Sequence, residues 1–101
     1  MQINKYRVSR HAELRMAQRN LSAHDVDLAL RLGHQEYRTG AQFFFLGRRD
    51  FPRGAEKELA RLTGMVVVVE ADAVIATVYR HRYALARIRR KSKRCWKGVG
   101  R

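Results

Sequence analysis

Acidic side chains are scarce in this chain and run out early. Its 101 residues hold 9 Asp or Glu against 22 Lys or Arg, a net charge of +13, and the last acid is Asp72. Cysteine occurs once, at Cys95, which excludes an intramolecular disulfide and a cysteine-based metal cage. The four histidines are scattered, with no close pair of ligands, so neither a metal site nor a cofactor is expected. The longest apolar run is Met65 to Val69, far short of the roughly 20 residues of a membrane span. The opening "MQINKYRVSRH" lacks the apolar stretch of a secretory signal. Both absences predict a cytoplasmic protein with no membrane partner.

What is present is cationic charge, unevenly placed. Residues 80–101 contain Arg80, Arg82, Arg87, Arg89, Arg90, Lys91, Lys93, Arg94, Lys97 and Arg101, and no acid, while residues 1–79 carry 12 basic residues against 9 acids. The body is therefore mildly basic and residues 81–101 form a cationic arm. Dense positive charge is the electrostatic footprint of nucleic-acid binding. Arg80, His81, Arg82, Arg87, Arg89, Arg90, Lys91, Lys93 and Arg94 are candidate phosphate contacts, and Trp96 a candidate base-stacking residue. A solubilising tail, or an arm that meets an acidic protein, are the alternatives.

Length and patterning point to one modest core. Ser9 is a plausible N-cap, and residues 10–20 avoid Gly, Pro and β-branched side chains. Ser22 with Asp25 three residues on forms a capping-box pattern, and Gly33 a stop, which predicts a helix over about 23–32. Strands follow on both sides of a turn at Thr39-Gly40, then a short helix ending at Gly64. Strands at Met65–Glu70 and Val74–Tyr79, joined by a tight turn, close the body. The expectation is an α+β domain over 1–80, with two N-terminal helices packed on an antiparallel sheet of about four strands. The basic C-terminal arm, 81–101, is expected to be partly helical or disordered.

The stretch "SRHAELRMAQRN" carries the first chemical signal. His11, Arg15 and Arg19 recur every fourth residue. At about 100° per residue they share one side of a helix, with Ala12 and Met16 on one flank and Leu14, Ala17 and Leu21 on the other. Like charges so spaced disfavour a helix slightly. The row either rims a groove that takes an anion, or is an ordinary surface stripe whose arginines pair with nearby acids. On the last strand, alternation turns Thr77, Tyr79 and His81 to one side if Ala76 and Val78 face the core. Hydroxyl, phenol and imidazole groups suit phosphodiester chemistry, although Thr and Tyr also simply favour strands. Metal-dependent nucleases need clustered carboxylates, and this chain has none in sequence. Phosphate chemistry here would rely on His, Arg, Tyr and Thr.

Taken together, "SRHAELRMAQRNLSAHDVDLAL", "MVVVV" and "VIATVYR" resemble a small bacterial family, the domain of unknown function four-two-five-eight. The resemblance spans about residues 8–80. That family is similar in layout to the barnase–EndoU–colicin–RelE class of metal-independent ribonuclease toxins. The resemblance implies an endoribonuclease that cleaves RNA by attack of the 2′-hydroxyl on the adjacent phosphate. It maps the family's catalytic positions onto His11, Arg15, Arg19, Thr77 and Tyr79, and implies an acidic antitoxin protein as partner. A non-catalytic nucleic-acid-binding module, or a toxin-like interaction domain, are the competing readings.

Overall fold

The computed structural model describes residues 1–91. The chain forms β1 (Gln2–Ile3), β2 (Tyr6–Val8), α1 (Arg10–Gln18), α2 (Ala23–Leu32), β3 (His34–Arg38), β4 (Ala41–Leu46), α3 (Glu56–Leu59), β5 (Met65–Glu70), β6 (Val74–Arg80) and α4 (Ala84–Arg90). The architecture is α+β, and two parts of the expectation are corrected. The sheet has six strands in the order β1-β2-β6-β5-β4-β3, and it is mixed, because β2 runs parallel to β6. The helices are also interspersed along the chain, with α3 and α4 following the first strands.

The two extra strands come from the first nine residues. Asn4 adopts a left-handed backbone, φ 57°, and its Oδ1 accepts the Lys5 N–H at 2.8 Å, closing a turn that pairs β1 with β2. Elements of two and three residues carry no readable periodicity. Their place is set by pairing with a strand more than sixty residues away in the chain, Arg7 opposite Val74 and Val8 opposite Ile75.

β5 sits in the middle of the sheet and all five residues from Met65 to Val69 are buried. On one face Met65, Val67 and Val69 pack with Val78, Ile75, Phe44 and Leu46 beneath α1 and α2, through Ala12, Met16, Val26 and Ala29. On the other, Val66 and Val68 pack with Phe43 beneath α4, through Ala84 and Ile88. The arm's first helix is therefore part of the core, and Ile88 is fully buried.

Two helix starts are fixed by polar ties. Ser9 Oγ accepts the Ala12 N–H and donates to the Ala76 carbonyl, both at 3.0 Å. Ala76 is the extra residue of a bulge in β6, since Thr77 pairs with Val68 while Ile75 pairs with Val69. The α1 cap is thus fastened to the bulge. At α2, Ser22 and Asp25 form the reciprocal capping box, and the buried Asp25 carboxylate also takes both terminal nitrogens of Arg61, at 2.8 and 3.2 Å. Burial pushes the Asp25 pKa up, but the Arg61 and Ser22 hydrogen bonds outweigh it and the net shift is downward.

Truncating Ile88 to Ala should cost about 2–5 kcal/mol of stability, read by denaturant unfolding. A value near zero would show that α4 is not seated on the sheet. A lowered carboxyl pKa means the folded state holds the charged form, so the stability it contributes is complete above the ordinary carboxyl range and lost as pH falls through it. Unfolding midpoints should therefore decline below about pH 4.5, and Asp25→Asn should flatten that decline.

Candidate nucleic-acid interface

α1 presents its row as the spacing predicts, but on different terms. Ala12 and Met16 are buried against the sheet. The other expected flank is packed only beyond the helix end: Leu14 is 57% exposed and Ala17 is exposed, while Leu21 is buried in the core. Along α1 itself the row thus borders the core on one side and solvent on the other. His11 and Arg19 are exposed and Arg15 is half-buried. Arg15 donates to Gln18 Oε1 at 3.1 Å, and Glu13 lies 3.8 Å from the N-terminal amine of Met1. Among the described residues no carboxylate pairs with Arg15 or Arg19. The row is an uncompensated cationic stripe, and not a surface stripe neutralised by acids.

Thr77 and Tyr79 lie elsewhere. The register sets Thr77 opposite Val68 and Tyr79 opposite Val66, both of which belong to the α4 face. α1 covers the opposite face. The structure does not bring the five residues into one centre, because the sheet separates His11, Arg15 and Arg19 from Thr77 and Tyr79. Tyr79 is half-buried, and burial pushes its phenol pKa up against the opposing pull of Arg87. It stays protonated near neutrality.

The α4 face holds a second polar group that the sequence reading passed over. On β3, His34, Glu36 and Arg38 alternate onto this face, opposite Phe45, Phe43 and Ala41. Glu36 is their hub. It meets His34 Nε2 at 2.6 Å, Arg38 Nη2 at 2.9 Å and Arg89 Nε at 3.1 Å. These bonds, His34 first, outweigh desolvation and hold the Glu36 carboxyl below its usual range. Arg89 belongs to α4, so the pair fastens the helix to β3. The period-two spacing of His34, Glu36 and Arg38 was the available signal, but it does not reveal what lies across from it.

The other arm residues divide between structure and surface. Arg80 donates to the Arg61 carbonyl. His81 donates its backbone N–H to Gly64 at 2.9 Å, and its Nδ1 accepts the Tyr83 N–H at 3.1 Å. Gly64 has φ +86°, and a Cβ there would sit 3.0 Å from the His81 carbonyl oxygen, so glycine is required where the arm leaves the sheet. Arg82 lies over the Tyr83 ring at 5.8 Å and Lys91 over Phe43 at 5.7 Å. Arg87 and Arg90 are exposed. Lys93, Arg94 and Trp96 lie outside the described residues. Among the described residues no three His, Cys, Asp or Glu side chains converge as metal ligands would, and no helix is long and apolar enough to cross a membrane.

Comparison with protein-family models, with curated proteins and with solved structures finds no match to this chain. The reading of function therefore rests on its own residues.

Proposed function

We propose that this chain binds RNA in the cytoplasm and cleaves it without metal, as an endoribonuclease of toxin type. The observation that carries the proposal is the uncompensated row on α1. A guanidinium fork matches phosphate oxygens bidentately, and two such groups stand one turn apart beside an exposed imidazole. In the cleavage step His11 takes the 2′-hydroxyl proton, and the 2′-oxygen attacks the adjacent phosphorus. Arg15 and Arg19 hold the non-bridging oxygens as negative charge grows. The 5′-oxygen leaves and takes a proton from water, giving a 2′,3′-cyclic phosphate and a 5′-hydroxyl. Tyr79 has no part in this step, since the sheet stands between it and His11.

That same separation favours a second reading, a non-catalytic RNA-binding module in which both cationic faces hold backbone and no bond is broken. An acidic antitoxin would meet the same cations. Replacing His11, an exposed residue with no core contact, distinguishes the first two readings. His11→Ala should lower cleavage of total RNA in chelator by about 10²–10⁴-fold with an unchanged melting temperature and unchanged RNA affinity. Cleavage equal to wild type sinks the catalytic assignment, and no cleavage by either protein, with RNA bound, leaves the binding module.

A further inference from the structure

A cleft of about 570 Å³ opens between α4, the start of β3 and the loop that follows β4. Its polar lining is His34, Arg48, Arg49, Asp50, Thr63, Arg82 and Arg89, and its apolar walls are Phe45 and Leu85. Arg82 and Arg89 come from the basic C-terminal stretch, whereas His34, Arg48, Arg49 and Thr63 come from the body of the chain. The fold draws these groups together from four separate stretches of the chain.

The charge of the cleft is one-sided. Asp50 is the acid among the lining residues, and its Oδ2 accepts the Gly47 N–H at 2.8 Å, which ties it to the loop backbone. Glu36, beneath the rim, is committed to His34, Arg38 and Arg89. These bonds hold Arg89 and His34 in place, 3.4 Å apart between Nη2 and Nε2, and so pre-position two of the lining donors. Arg48, Arg49 and Arg82 are exposed and form no ion pair among the described residues.

We infer that this cleft seats one nucleotide of a single-stranded RNA, the phosphate among the guanidinium groups and the base against Phe45 and Leu85. The inference rests on the RNA reading above and adds the residues that would hold the strand on the α4 face. A volume of this size suits a small ligand. Mixed arginine and apolar lining is what an unpaired nucleotide needs, since its base face is open to stack and its phosphate to pair. A duplex keeps its bases stacked on each other and has nothing to place against Phe45 and Leu85.

The test uses the full chain with a fluorescent single-stranded RNA oligonucleotide and with an RNA duplex, read by anisotropy across a salt series. Arg48→Ala with Arg49→Ala removes exposed loop cations and should leave the melting temperature unchanged. Its Kd for the single strand should rise about tenfold, with a salt dependence shallower by about one phosphate contact. Its duplex affinity should change less. Arg53→Ala with Lys57→Ala removes two exposed cations outside the cleft and controls for bulk charge. If wild type binds RNA but both double variants bind the single strand equally well, or lose duplex and single-strand affinity in parallel, the cleft is not the seat. If wild type binds no RNA, the RNA reading falls and the inference with it.

Discussion

A central strand that is apolar on both faces dictates much of this structure. Met65 to Val69 alternate between two cores, so each face of the sheet must be covered. α1 and α2 cover one face. Among the described residues the helix that covers the other is α4, from a stretch in which every charged residue is basic. A segment that reads as a detachable cationic arm is thereby drawn into the fold. Removing it would expose Phe43, Val66 and Val68 to water, so loss of RNA binding on truncation would not separate affinity from stability.

α4 meets this double demand by a narrow contact. Ala84 and Ile88, one helical turn apart, enter the core, and the remaining positions are free to carry charge. Repulsion among those cations is relieved in two ways. Glu36 receives Arg89 from across the sheet, and Lys91 lies over the Phe43 ring, where the π-face attracts a cation. Glu36 is also where a proton would act. Its lowered pKa reports favourable contacts of the charged form, and those contacts include the one that fastens α4.

Much of this fold was legible locally and little of the site was. The capping box at Ser22 and Asp25 announced α2, and the structure has it over Ala23–Leu32. The Val run, the turn at Thr39-Gly40 and the strand at Val74 were readable because each rests on neighbours in sequence. β1 and β2 were not, since both are too short to show a period and the pairing of β2 with β6 that places them is long-range. The alternation of Thr77 and Tyr79 was readable, but not which helix shares their face, because the bulge at Ala76 and the sheet order decide that. His34, Glu36 and Arg38 show a strand period, yet their meaning comes from Arg89, fifty-three residues from Glu36.

Five of the nine acids act as struts, and the cations they take are structural ones. Asp25 caps α2 and holds Arg61, Asp27 takes Asn4 and Arg31, Asp50 ties Gly47, Glu56 ties Gly54, and Glu36 binds β3 to α4. Each fixes backbone or joins two elements. None pairs with Arg15, Arg19, Arg48, Arg49 or Arg82 among the described residues. Leaving like charges unpaired on a compact domain costs stability through self-repulsion. A polyanion that spans such cations relieves the repulsion at every contact and releases its own counterions. The unpaired charge therefore costs least when a polyanion is bound, which is the physical ground for proposing a polyanionic ligand on both faces.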